Sequence, residues 1–250
     1  MSVPAPAPYN GCPLSRSPAT MNICHPRFLR PALGTACVAA VAALAGCNGD
    51  ACFGVDVCFN SNNTQTVALS GTAATGAALA SASVTVSCAQ GSATTLTDGG
   101  GNYRVTVNAV LPCAITVASG GTSLHSLAYA GGTFNTTPET ELMLVYLAAQ
   151  LGTNTAGLID NFQGNARFQQ AIGSPNAVQA AQSAVVTNLQ QRYSVTLSTP
   201  AFLTTPFVVG QPGIDGDLDA LAKAGAIDSN GMPDPAAISL LAQAGAGHPL

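Results

Sequence analysis

Tryptophan is absent, aromatic residues make up 5% of the 250 and charged residues only 7%, where an ordinary domain carries roughly 25% charge. The surface must therefore be solvated by Ser, Thr, Asn, Gln and Gly rather than by ion pairs. Positive charge is the scarcest of all, with seven Lys and Arg against eleven Asp and Glu, a formal net charge of −4. That balance lacks the basic footprint of a nucleic-acid binder. Long apolar runs are missing too. Mean hydropathy is +0.32, but it comes mainly from Ala, and no uncharged apolar stretch reaches the ~18–20 residues of a membrane span. This excludes a multispanning protein. Val, Leu, Ile and Phe are nonetheless too frequent and too regularly spaced for a chain disordered throughout. The length fits one or two domains.

The first fifty residues differ from the rest. They hold three of the seven basic residues (Arg16, Arg27, Arg30) and four of the eight cysteines, and no charge occurs from Pro31 to Asn48. Arg27 and Arg30 form a basic n-region, Leu33 to Leu44 an apolar h-region, and small residues then precede a cysteine. This is the layout of a secretory signal peptide. Residues 1–20 are Pro-rich and unpatterned. A leader starting at Met21 has a normal length, so we read 21–46 as the signal peptide. Residues 1–20 are then either an over-extended start or a disordered leader.

Leu44-Ala45-Gly46-Cys47 resembles the lipobox of bacterial lipoproteins at each position. The resemblance implies diacylglycerol transfer to the Cys47 sulfur, cleavage before Cys47 and acylation of the new amino group. Small side chains at Ala45 and Gly46 suit a peptidase groove, and two or three acyl chains anchor a protein stably where one is marginal. The implied address is the bacterial envelope. Asn48, rather than Asp, after the lipidated cysteine points by family analogy to the outer membrane. The remaining body carries four basic side chains (Arg104, Arg167, Arg192, Lys223) and all eleven acidic ones, a formal charge of −7.

With Cys47 lipidated, Cys52, Cys58, Cys88 and Cys113 remain, an even number in an oxidising compartment. Four cysteines allow three pairings. We favour Cys88 with Cys113, which flank two strand-like segments, and Cys52 with Cys58, which would close a small ring in the tether at 47–65. These spacings are not those of a zinc ribbon, and no metal is expected.

From Thr66 to Thr136 the chain reads as strands. TVALSG, ASVTVSC, ATTLT, NYRVTVN, CAITVA, SLHSLAY and GTFNTT are short, often β-branched and separated by Gly-rich breaks, and about seven strands at this spacing suggest an antiparallel sandwich. Gly71, the small-residue run Gly76 to Val84, then Thr97-Asp98 and Gly101-Asn102-Tyr103 resemble the carboxypeptidase regulatory-like family. The resemblance covers about 70 residues and implies a prealbumin-like or Ig-like sandwich that serves as a spacer or binding module. Asp98 is expected to accept turn N–H groups, and Tyr103 to place its ring on the core.

From Pro138 onward the pattern is helical. Thr137 is an N-cap with Pro138 at the first position, and Glu139 and Glu141 complement the dipole. Leu142, Val145, Tyr146 and Ala149 form one apolar face. A second helix covers Thr155 to Ile172 with a break near Gly164. A third follows Ser174-Pro175, with Val178, Ala181, Val185 and Leu189 inward. Ser194 to Gly213 is a Pro-broken connection, Leu218 and Leu221 mark a fourth helix, and Asp234-Pro235 opens a fifth with Ile238 and Leu241 inward. Strands followed by helices give α+β: a small antiparallel Ig-like or prealbumin-like sandwich at 66–136, then a helical region at 137–250. The order of lipobox, sandwich with a cysteine pair, TPETEL helix entry and helical tail resembles envelope lipoproteins of β-proteobacteria. It carries an architecture and no activity.

Chemistry is sparse. There is no G-x-S-x-G elbow, H-E-x-x-H or P-loop, and no cofactor is expected. His125 is the one histidine inside the body and alternates with Leu124 and Leu127, on a polar strand face. Asp215, Asp217 and Asp219 space like the start of a calcium loop, but Ala220 and Ala226 stand where Gly and Glu are required. The simpler reading is a dipole-matched first helical turn. Glu139 and Glu141 are two apart on a helix and diverge, which does not suit a paired-carboxylate mechanism. The expectation is a non-catalytic, membrane-anchored lipoprotein with a protein or glycan ligand. The alternative is a hydrolase using His125 or the Asp215 cluster, between the two halves.

Overall fold

The computed structural model describes residues 64–250 and, for the backbone alone, the two-residue strands β1 (Cys52–Phe53) and β2 (Val57–Cys58). Residues 21–46, expected to be a signal peptide, and Cys47, the expected lipid attachment site, lie outside the described residues. β1 and β2 pair antiparallel with Cys52 opposite Cys58; the side chains of these two cysteines, and so their pairing, also lie outside the description.

The fold is α+β: within unit 50–250 the described residues form the β1–β2 pair, a six-stranded mixed sheet and then six α-helices. The strands are β3 (Gln65–Thr72), β4 (Ser83–Gln90), β5 (Ser92–Leu96), β6 (Asn102–Ser119), β7 (Thr122–Ala128) and β8 (Gly132–Thr133). Two expected strands, NYRVTVN and CAITVA, are one continuous β6. Its first half pairs antiparallel with β3, and its second half lies between β4 and β7. β5 extends the sheet beyond β4, and β8 adds a short parallel rung to β3. Pro112 has no N–H to donate and would ordinarily end a central strand. Here it sits at the register shift between the rungs Gln90–Val110 and Cys88–Cys113, where the ladder is already interrupted.

Period-two alternation sets the faces. Val67 and Leu69 of β3, Val84 and Val86 of β4 and Tyr103, Val105 and Val107 of β6 are buried, while Asn102, Arg104, Thr106 and Asn108 are exposed. The second half of β6 loses the alternation because α3 covers its other face. Cys88 and Cys113, directly opposed across β4 and β6, form a disulfide. The hairpin from Asp98 to Asn102 closes on the Asp98 carboxylate, whose Oδ1 accepts from the N–H of Gly100 (2.9 Å) and of Asn102 (2.8 Å). Those bonds, chiefly the one from Asn102, hold the Asp98 carboxyl below its usual range.

The helices are α1 (Pro138–Gln150), α2 (Thr155–Asn161), α3 (Ala166–Gly173), α4 (Pro175–Tyr193), α5 (Ile214–Lys223) and α6 (Pro235–Ala246), with a single 3-10 turn over Phe162–Gly164. Their starts follow local chemistry. Thr137, Ser174 and Asp234 cap α1, α4 and α6, each with proline next in sequence, and Thr137 and Thr140 complete a reciprocal capping box.

The packing of α1 differs from the expected one-sided helix. Met143, Leu144 and Leu147 are fully buried, as is Leu142, while Ala149, on the expected inward face, is less so. The reason is position: α1 packs against α6, α4, α2 and β7, so no side is left for solvent and amphipathic periodicity disappears. Helix α6 approaches it through Gly245, where a Cβ would collide with the Tyr146 carbonyl. Leu241 of α6 is buried, but Ile238 is 38% exposed, contrary to expectation. Among the described residues no single helix is long and apolar enough to cross a membrane.

The connection from Ser194 to Gly213 is pinned by a residue that periodicity did not single out. Asn135 is fully buried. Its Oδ1 accepts from Thr72 N–H (3.2 Å), its Nδ2 donates to the carbonyls of Phe202 (2.9 Å) and Thr205 (2.7 Å), and its own N–H donates to Leu203 O (2.7 Å). The side-chain amide thereby satisfies three groups, and the backbone N–H a fourth, that burial would otherwise leave unpaired.

Candidate functional site

Three places bring polar groups together: a cleft beside His125, the entry of α1 beside α5, and the outward face of the β3–β6 ladder.

His125 lies mid-way along β7, facing the first turns of α1. One oxygen of Glu141, Oε2, takes two bonds from the same residue. The backbone N–H of His125 donates to it at 2.7 Å, and ring Nδ1 lies 2.9 Å away. The His125 carbonyl in turn accepts from Thr140 Oγ1 at 3.0 Å. The imidazole is thus held at one nitrogen and is only 23% exposed, rather than lying free on a polar face. The hydrogen bond to Glu141 raises its pKa; burial opposes that shift, while the charges of Glu141 and Asp160 add to it. A cleft of ≈ 370 Å³ adjoins this pair, walled by Val145, Ala156, Ile238 and Ala242. Such an arrangement can fix a tautomer and present the other ring nitrogen for proton exchange. Ser126, next to it in β7, does not serve it: the Ser126 hydroxyl donates to Asn135 O at 2.6 Å.

The two glutamates of α1 do diverge. Glu141 turns to β7. Glu139 is fully buried on the side of Asp217, and neither of its carboxyl oxygens has a hydrogen-bond partner. Burial, with the charge of Asp217 added, drives its pKa well above the usual carboxylate range; the Thr137 hydroxyl opposes the shift without closing a hydrogen bond. The first-turn position predicts that both complement the helix dipole, but both are buried, and Glu139 is held towards its neutral form.

Asp215, Asp217 and Asp219 do not converge. Asp215 Oδ2 accepts from Gly210 N–H at 2.8 Å, Asp217 Oδ2 accepts from the N–H (2.8 Å) and hydroxyl (2.6 Å) of Ser198, and Asp219 is exposed. The first two fasten the connection from α4 to the start of α5. Among the described residues no three His, Cys, Asp or Glu side chains gather as metal ligands do.

A further cleft, of ≈ 590 Å³, was not foreseen from motifs. It opens over the first half of β6 and β3, between the Leu96–Asp98 corner and the Pro206–Phe207 segment. Alternation alone marks its floor, since Ser70, Asn102, Arg104 and Thr133 occupy outward strand positions. Its position also depends on Phe207, which is 135 residues away from Thr72 in sequence yet accepts from its hydroxyl at 3.2 Å.

Comparison of the chain with protein-family models, with curated proteins and with solved structures found no match. Function must therefore be argued from these sites and from the N-terminal motif.

Proposed function

We propose that the chain is a lipid-anchored lipoprotein of the bacterial envelope, at the outer membrane, whose body binds or scaffolds rather than catalyses. The observation that carries the reading is Leu44-Ala45-Gly46-Cys47 at the end of an uncharged stretch that follows Arg27 and Arg30. A thiol preceded by small residues is the chemistry that lipid transfer and cleavage require. For the body, we read the strands as an Ig-like or prealbumin-like sandwich of the carboxypeptidase regulatory-like kind. Two features support that: one long strand feeding separate ladders with β3 and with β4 and β7, and the Asp98 turn leading into buried Tyr103. The non-catalytic reading rests on how the acidic side chains are used, since Glu141, Asp215 and Asp217 each take backbone N–H groups that shape the fold.

The test is metabolic labelling with palmitate, followed by fractionation. The wild-type chain is expected to carry label and to sediment with outer membrane. Cys47→Ser is expected to lose the label and to accumulate uncleaved. An unlabelled wild-type product, or a Ser variant processed and fractionated like the wild type, overturns the reading.

A second reading, a hydrolase, is favoured by one observation: an imidazole held at Nδ1 by a carboxylate beside a cleft. Turnover of an ester or glycoside substrate that disappears in His125→Asn would support it over the first.

A further inference from the structure

We propose that the outward face of the β3–β6 ladder is a saccharide-binding site, an inference that rests on the binding role given to the body. Strand register builds the site. Ser70 stands opposite Arg104 and Gly71 opposite Tyr103, and Thr72 faces Asn102. Thr133 of β8 brings its hydroxyl to 3.4 Å from that of Ser70. Because successive side chains on a strand alternate, these polar groups share one face while Tyr103 and Leu69 go to the core. The ≈ 590 Å³ cleft lies over that face, with Leu96 (64% exposed) and Phe207 on its walls.

The chemistry of the lining selects the ligand class. The hydroxyls of Ser70 and Thr133 both donate and accept, whereas the Asn102 amide is already held by the Thr72 hydroxyl (3.1 Å) and the Asp98 carboxylate (3.1 and 3.2 Å). Arg104 only donates, and at the rim Asp98 only accepts. Arg104 has no carboxylate partner within 4.0 Å among the described residues, although the body has four cations and eleven acidic groups. A simple anion would gain from Arg104 but would meet Asp98 at the same rim. A nucleic acid would meet one cation and a body of negative charge. An extended peptide adding a strand needs a free edge, and over Leu69–Ser70, at the floor of the cleft, β3 is already paired on both sides, with β6 and β8. A sugar has what the lining lacks and needs. Its hydroxyls donate and accept at closely spaced positions, and its ring C–H faces cover apolar walls such as Leu96 and Phe207.

The probe is native gel electrophoresis of the detergent-solubilised full chain through gels cast with hydroxyethylcellulose, glycol chitin, dextran or polygalacturonate. Retardation is expected in at least one gel. A neutral polymer would place the ligand among neutral glycans, and polygalacturonate alone would assign Arg104 to a uronate. Arg104→Met, an exposed position whose loss spares the core, is expected to weaken retardation roughly tenfold or more, the size of a lost hydrogen bond to a charged group. Leu96→Ser should weaken it as well, while Ile238→Ser, in the other cleft, should leave it unchanged. No retardation in any gel overturns the proposal, and so does equal retardation of wild type and Arg104→Met. Palmitate labelling of Cys47 reads the anchor separately, so a labelled chain that ignores all four polymers sinks this site and not the lipoprotein.

Discussion

Replacing Glu139 by Gln tests the least ordinary group in the fold. Glu139 sits in the first turn of α1, where the helix dipole favours a negative charge by ~0.3–1 kcal/mol. Yet it is fully buried, and both its oxygens lack partners. Leaving an ionised carboxylate unpaired in the interior costs several kcal/mol, so burial outweighs the dipole and the folded state keeps the proton. The sign of the linkage follows from that. A carboxyl whose folded pKa is raised contributes no penalty below its unfolded pKa of about 4.3. Above it the unfolded chain ionises while the folded one does not, and stability falls by about 1.4 kcal/mol per pH unit. The loss continues until the pH reaches the folded pKa. Gln has the same shape and does not titrate. We therefore expect Glu139→Gln to gain on the wild type by about 1.4 kcal/mol for each unit above ~pH 4.3, with little change in the difference below it. The assay is urea unfolding followed by far-UV circular dichroism, since the chain has no tryptophan. Asp217→Asn should narrow the pH window in the wild-type background, because the Asp217 charge contributes to the shift. Parallel stability curves for wild type and Glu139→Gln between about pH 4 and pH 7 would refute the reasoning. A wild type that gains on the variant as pH rises would show that Glu139 is ionised and paired in the folded state.

Three further perturbations have defined outcomes. Glu141→Gln should lower the pKa of His125, because the bond to Glu141 is the main cause of its rise. The contribution of His125 to stability is full below about pH 6.5 and is lost as pH rises through its raised value; an NMR titration of the ring, assigned with His125→Asn, checks the direction. Gly71→Ala should destabilise by about 1–3 kcal/mol, since its Cβ would strike the Phe134 carbonyl and Tyr103 hydroxyl; the urea midpoint reads it, and an unchanged midpoint would mean that β8 can shift. Cys88→Ala with Cys113→Ala should cost ~3 kcal/mol, as expected for closing a loop of this length, and a reducing agent should lower the wild-type midpoint towards that of the double variant.

What was legible in the sequence was local. The caps at Thr137, Ser174 and Asp234 depend on a few neighbouring residues, as does the Asp98 turn, and short-range chemistry decides them. Strand faces followed from alternation, and the Cys88–Cys113 pair from the two strand-like segments around it. What was not legible depended on partners far away. Alternation reads the first half of β6 correctly and fails over Pro112 to Ile115, where both faces are covered, and only the register shift in β4 shows why the strand continues past Pro112. Periodicity marks Leu142, Val145, Tyr146 and Ala149 and leaves out the fully buried Leu144 and Leu147, because it assumes one wet side and α1 has none. His125 and Glu141 meet across 16 residues, and Thr72 and Phe207 across 135. No motif spans such distances.

The buried α1 also explains how so weakly charged a chain tolerates acidic residues next to its core. Each end of the problem has a different solution within three residues. Glu141 remains useful as an acceptor because a strand N–H and an imidazole reach it together. Glu139, one helical step away on the opposite side, is reached by neither, and the only charge nearby has the same sign. A carboxyl in that position is tolerated as a neutral group or not at all. Asn135 precedes it and the capping box of Thr137 and Thr140 brackets it, so at the entry to α1 only the Thr136 hydroxyl shares its lack of a partner. Against that background Glu139→Gln, which removes the cost of keeping the carboxyl protonated, should stabilise the helix entry without disturbing its neighbours.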